Sequence, residues 1–299
     1  MINIAFKQRT LEHQRKIADR LWTRLDDRTV GKDSAAFDGD STKLGIFDNF
    51  VRKWSDFCAR IARSERVEDR IFAAEQIPKL YEADPYTMGD GLISHSTLVR
   101  LAIDPDLRVR TAFIKGACSH RNIERLGGVL IKSVAKTKNA AVLESIREGL
   151  VTLAKCQEAD DGTKAIAAWV LINVVLVRSH RLGSVELQER VARDLETLDN
   201  ICLTGAIGRT LRDLNQEIDK MRRSGQITSE MIINDSGARM FMVVIELINS
   251  KELRETTGEL IKLVEEPLLP GELRAKIREA LTKFGVVISW AVTANPIEA

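Results

Sequence analysis

The feature of this sequence that most restricts its fold is a long central stretch without proline. None of the six prolines falls between Asp106 and Glu266; they stand at Pro78, Pro85, Pro105, Pro267, Pro270 and Pro296. Proline is the strongest helix breaker, and the stretch is rich in Leu, Ala, Glu, Arg and Lys, which favour helix. Tyrosine, which favours strands, occurs only twice. The sequence therefore predicts an all-α protein.

The composition is that of a globular protein. Of the 299 residues, 44% are hydrophobic and 29% are charged, which excludes a disordered chain and allows one large domain or two ordinary ones. The longest apolar run, residues 165–177, contains Asn173 and is shorter than the roughly 20 residues that cross a bilayer, so we expect no membrane span. The N-terminus lacks the apolar region of a secretory signal. Four widely spaced cysteines lie in apolar helical patterns, which indicates buried free thiols in a cytoplasmic protein: Cys58, Cys118, Cys156 and Cys202.

Breaks in the helical periodicity divide the chain. Residues 1–30 contain an amphipathic helix, and residues 31–46, rich in Gly, Asp and Ser, form a loop or linker. In residues 47–182 the predicted helices come in pairs, whose second members begin at Val67, Val109 and Val142; this spacing is typical of a degenerate helical repeat. Residues 183–290 form a C-terminal helical region, in which a phase break at Gly205 indicates two antiparallel helices, and residues 291–299 form a tail.

The stretch DPDLRVRTAFIKGA, residues 104–117, joins a turn to the start of an amphipathic helix. The proline ends one helix, an aspartate caps the next, and Arg110 can pair with an aspartate of a neighbouring turn. Asp104-Pro105-Asp106, followed by Val109-Arg110 and then an alanine, resembles the turn and second helix of a HEAT repeat. The resemblance covers residues 47–182. It implies HEAT-like antiparallel helix pairs stacked as an α-solenoid, here followed by a bundle-like C-terminal part, and a structural role for Asp104, Asp106 and Arg110.

Residues 108–138 carry an unusual excess of positive charge. They hold eight basic residues and one acid, Glu124, a net charge of +7 in a chain whose net charge is +2, so that the other residues sum to about −5. At about 100° per residue, Arg121, Arg125, Lys132 and Lys136 fall on one side of a helix, and apolar residues fall on the other. Such a stripe is either a solvated outer face or a binding surface for anions. The candidate binding residues are Arg108, Lys115, Arg121, Arg125, Lys132, Lys136 and Lys138.

No other pattern predicts a chemical site. The four histidines are scattered, so that neither their spacing nor the pair Cys118 and His120 indicates a metal ion. The segment DGDST from Asp38 lacks the glycine and the final glutamate of a calcium loop, and GAIGRT lacks the lysine and the strand of a phosphate-binding loop. We therefore predict no catalytic residue, no metal and no cofactor.

These observations favour a non-enzymatic helical-repeat module or scaffold that binds a protein partner. One alternative is a nucleic-acid-binding protein whose stripe contacts phosphates, although no aromatic residue is interspersed to stack on bases. Another is a DNA glycosylase, since some HEAT-like repeat proteins have that activity, but the sequence shows no aromatic pocket with a catalytic carboxylate. The amphipathic residues 184–223 could also support a homo-oligomer.

Overall fold

The computed structural model describes residues 52–83, 93–119, 121–224, 235–267 and 269–286. Every regular element in these ranges is helical and none is a strand, so the predicted all-α class is confirmed. The predicted N-terminal helix, the loop at 31–46 and the tail at 291–299 lie outside the described residues. Contacts divide the chain into two compact units, one ending at Ala117 and the other beginning at Cys118.

The described residues of the first unit form four helices. Helix α1 covers residues 52–61, and it is followed by α2 (Val67–Ala83), α3 (His95–Ala102) and α4 (Leu107–Ala117). Helix α4 packs against both α2 and α3. The core contains Trp54, Phe72 and Phe113, and the ring of Trp54 meets the ring of Phe72 edge-on with centroids 6.0 Å apart. Burying such large rings supplies much of the hydrophobic stabilisation of so small a unit.

Helices α2 and α4 approach closely at one glycine. Pro78 lies inside α2, and a Cβ added to Gly116 of α4 would stand 2.5 Å from the Cβ of Pro78. Real carbon atoms do not approach so closely, so any side chain at position 116 forces the two helices apart.

The second unit contains nine α-helices among the described residues. They are α5 (Ile123–Lys136), α6 (Ala140–Ala154), α7 (Asp161–Val170), α8 (Val177–Arg181), α9 (Val185–Glu196), α10 (Asn200–Ser224), α11 (Asp235–Lys251), α12 (Thr257–Val264) and α13 (Gly271–Lys283). A π-helical segment, Leu171–Leu176, joins α7 to α8 without a break. Successive helices are neighbours, with α5 packed on α6, α6 on α7 and α12 on α13.

Helix contacts run across residue 182, where the sequence predicts a domain boundary. Helix α7, before that boundary, packs on α10, after it. The contact is close because a Cβ on Gly205 would lie 2.8 Å from the Cβ of Ala165. Gly205 is therefore a packing site within a continuous α10 and not a break between two helices.

The continuous helix Asp161–Arg181 is, by length and composition, a candidate for a membrane span, and half of its most apolar window is buried inside the protein.

Most of the apolar residues of 184–223 are buried against other parts of the chain. Val191, Leu195, Ile207 and Leu211 are fully buried, which leaves only Val185 and Ile201 as exposed large apolar residues of this segment.

Candidate interaction surface

The turn between α3 and α4 is built around Asp104, which is 2% exposed. Its carboxylate accepts two hydrogen bonds from Arg70 of α2, from Nε at 2.8 Å and from Nη2 at 3.2 Å, and a third from the backbone N–H of Asp106 at 2.9 Å. The Asp106 carboxylate accepts from the backbone N–H of Arg108 at 2.9 Å and so caps α4. A buried aspartate with these partners fixes the position of α4 against α2.

Among the described residues, Arg110 contacts no carboxylate. Its Nη1 donates to the backbone carbonyls of Asp104, at 2.7 Å, and of Pro105, at 3.0 Å. The carboxylate of Asp104 is bonded instead to Arg70, which lies on a different helix, α2. The reason is that the side chain of Arg110 folds back over its own turn, where the carbonyls that precede α4 lack a helical partner.

The predicted stripe is divided between the two units. Arg108 and Lys115 are exposed in the first unit, and Arg108 is paired with Asp106 through an Nη2–Oδ2 contact of 3.0 Å. The remaining predicted cations are exposed in the second unit, where α5 carries Arg125, Lys132 and Lys136 on its outer side. Arg121 precedes the N-cap residue Asn122 and Lys138 follows the C-cap residue Thr137, so these two flank the helix and do not belong to it.

Residues on the opposite side of α5 hold it in place. Ile123, Leu126, Leu130 and Val134 are at most 1% exposed. This pattern, apolar inside and cationic outside, follows the helical period as the sequence predicted. The cations therefore project from a helix whose position is fixed by its buried face.

The structure brings two further arginines, from outside the basic residues 108–138, to the end of α5 or close to it in the chain. Arg178 of α8 donates from Nε and Nη2 to the carbonyl of Thr137, at 3.2 and 2.7 Å, which places the end of α8 beside the end of α5. Arg181 follows within one turn and is exposed. The sequence VRSHR at 177–181 is a concentrated basic signal, but it lies too far from residue 138 in the chain to be grouped with it.

We give the name basic face to six of the exposed cations of the second unit: Arg121, Arg125, Lys132, Lys136, Lys138 and Arg181. Within the described ranges, no acidic side chain lies at ion-pair distance from Lys132, Lys136, Lys138 or Arg181. Unpaired cations on one side of a protein attract anions through the summed field.

Cations elsewhere in the same unit are differently placed. Arg147 of α6 is bonded to Glu144 at 2.9 Å and also to Asp194 of α9, and Arg190 is bonded to Glu144 at 2.8 Å. Burial alone would raise the pKa of Glu144, but the hydrogen bonds from Arg147 and Arg190 outweigh it and lower that pKa. This network joins α6 to α9 and leaves little charge free for a ligand.

The thiols and metal-binding side chains offer no comparable surface. Burial raises the pKa of Cys118 and of Cys202 to about 12 and raises that of Cys58 further, so these thiols are protonated at neutral pH. In the part of the chain that the structure describes, no three His, Cys, Asp or Glu side chains lie close enough to hold a metal ion.

Comparison with known proteins adds no identity. No family model matches the sequence, and no curated protein matches it. A designed armadillo repeat protein is similar to 75% of this chain over 97% of its own length, with 16% sequence identity and a TM-score of 0.27. The all-α class accordingly rests on the helices of this chain themselves.

Proposed function

We propose that this protein is a non-enzymatic, cytoplasmic interaction module whose HEAT-like helix pairs display the basic face to an acidic segment of a partner protein. One observation carries the proposal: the cations of α5 stand on a helix anchored by its buried side, and most of them lack an acidic neighbour in the described residues. Exposed charges that are not neutralised within a protein are available to a partner of opposite charge.

The charge balance of the chain favours a protein partner over nucleic acid. Residues outside 108–138 sum to about −5, because the chain as a whole has a net charge of +2. A long nucleic acid extends past a short basic face and meets the field of that acidic remainder, whereas a short acidic segment can be confined to the face. Binding of nucleic acid through the same cations is the second candidate.

Charge reversal tests the proposal. We expect a variant with Arg125, Lys132 and Lys136 all changed to Glu to keep its melting temperature, because these side chains are exposed. It should lose a partner that the wild-type protein retains when both are used to capture proteins from an extract of the native organism. The matched control reverses three exposed cations of α10: Arg212, Lys220 and Arg223.

The same variants separate the two candidates. If the basic face binds nucleic acid, the wild-type protein binds duplex DNA or RNA with a steep salt dependence, and the triple reversal flattens the slope of log K against log salt by about 3. If it binds an acidic protein, DNA binding is negligible at physiological salt. A triple reversal that retains every partner and every affinity would mean that the basic face is only a solvated surface.

A further inference from the structure

Gly128 stands in the middle of the exposed side of α5. It lies between Arg125 and Lys132, three residues after one and four residues before the other, and it is exposed. Ala135, which is also exposed, lies one residue before Lys136. The long cationic side chains therefore alternate with two positions that have almost no side chain.

The residues that the structure describes give no reason for a glycine at position 128. A Cβ added there would meet nothing within 4 Å among the described residues, and the backbone does not have the positive φ that favours glycine. Glycine inside a helix costs about 1 kcal/mol relative to alanine. The neighbouring Gly127 is buried, so the exposed glycine is the one whose small size serves no internal contact.

The spacing on this face is that of a helix-packing seam. Arg125, Gly128, Lys132 and Ala135 follow one another at intervals of three, four and three residues. Residues at these intervals form one continuous row along a helix, and the distance of closest approach to a second helix depends on the size of the side chains in the row. A missing side chain at Gly128 allows a close approach there, while Lys132, one turn further along, has no acidic neighbour among the described residues.

We propose that the basic face receives an acidic α-helix of the partner, laid along α5 with its closest approach at Gly128. This inference rests on the proposed function and adds the form of the partner. A helix is favoured over an extended peptide because extended peptides gain affinity from main-chain hydrogen bonds to a sheet edge, and α5 has its interior backbone groups bonded within the helix. The backbone hydrogen bonds of a partner helix are already formed within that helix. It can also present carboxylates at the same intervals as the cations of α5.

Two synthetic peptides of identical composition test this inference. Both are alanine-based helices that carry glutamates. In one, the facial peptide, the glutamates lie three and four positions apart on one face, and in the other they are spread around the helix. Binding to the full-length protein is measured by fluorescence anisotropy. We expect the facial peptide to bind about tenfold more tightly than the dispersed one, a difference that net charge alone does not produce.

Gly128→Leu is the decisive variant. The added side chain projects into open space, so the fold is expected to survive, but it blocks the close approach and should weaken binding of the facial peptide about tenfold or more. Gly258→Leu is the matched control, since Gly258 is an exposed glycine of α12 whose added Cβ likewise meets nothing within 4 Å in the described residues. It should leave the affinity unchanged.

The outcomes distinguish this inference from the proposed function. If reversal of Lys132 and Lys136 abolishes peptide binding while Gly128→Leu has no effect, the basic face binds acidic segments but no helix packs at Gly128, and the inference is overturned. Equal affinities for the two peptides overturn it as well. If charge reversal does not weaken binding, the proposed function itself fails. Tighter binding of a short DNA duplex than of either peptide would assign the face to nucleic acid and overturn both.

Discussion

Arg70 and Arg110 make the same pair of main-chain contacts, 40 residues apart in the sequence. The Nη1 atom of Arg70 donates to the carbonyls of the residues six and five positions before it, and that of Arg110 does the same in the next turn. The two turns are therefore structural equivalents. Arg70 additionally binds the carboxylate of Asp104, which connects one turn to the next. A helical repeat predicts such equivalent turns. The interval between Arg70 and Arg110 is two residues shorter than the interval between Val67 and Val109, from which the sequence predicts the repeat.

The two arginines should differ in their contribution to stability. Arg70→Ala leaves the buried carboxylate of Asp104 without its cation, so we expect the free energy of unfolding to fall by about 3 kcal/mol. Arg110→Ala leaves two carbonyls unsatisfied and should cost about 1–3 kcal/mol. Urea unfolding measures both. Arg108→Ala removes only a surface ion pair in the same turn and should have little effect on the free energy of unfolding. If Arg108→Ala destabilises the protein as much as Arg70→Ala does, this account is contradicted.

Substitution of glycine by alanine should have opposite effects at two positions. Gly116→Ala places a carbon 2.5 Å from Pro78, and the resulting displacement of α2 from α4 should lower the free energy of unfolding by about 1–3 kcal/mol. Gly128→Ala adds a helix-favouring residue in open space and should raise it by about 0.5–1 kcal/mol. The pair is measured by chemical denaturation. Destabilisation by Gly128→Ala would show that this position has an internal packing role.

The ion-pair network around Glu144 should make the free energy of unfolding fall as the solution becomes acidic. The pKa of Glu144 is lower in the folded protein than in the unfolded chain, so the unfolded state binds protons more readily. The stabilisation is complete above the unfolded pKa, about 4.3, and is lost as the pH falls through the lower folded value. Near pH 6 we expect the Glu144→Gln variant to have a lower free energy of unfolding than the wild-type protein. Between pH 6 and pH 3 the free energy of unfolding of the variant should change less than that of the wild type. Glu196→Gln, at an exposed position at the end of α9, is the control and should keep the wild-type profile.

Thiol reactivity should separate the four cysteines. Cys156 is partly exposed, whereas Cys58, Cys118 and Cys202 are buried, and burial raises their pKa values. A thiol-specific reagent at mildly alkaline pH should therefore modify Cys156 rapidly and the other three only after unfolding. Cys156→Ser should abolish the rapid phase. A rapid phase that persists in this variant would mean that a buried helix opens readily.

Local chemistry was predictable from the sequence where one segment determines the result. The helical class, the alternation of buried and exposed residues along α5 and the cap at Asp106 all depend on neighbours within about two turns. The partner of Asp104 was not predictable, because Arg70 reaches it from a different helix. The same is true of the contact between α8 and the end of α5, which is made by the bond of Arg178 to Thr137. Gly205 was misread as a break because its partner, Ala165, lies on another helix.

The π-helical segment Leu171–Leu176 has a consequence for how one helix serves two neighbours. A π turn holds one residue more than an α turn, so it rotates everything after it by about 100° relative to an uninterrupted helix. Before the segment, Ala165 meets α10; after it, Arg178 meets the end of α5. The extra residue therefore sets the angular phase of α8. Deletion of a single residue from the segment would restore a regular helix, and it would turn Arg178 away from Thr137 without altering any residue at the surface.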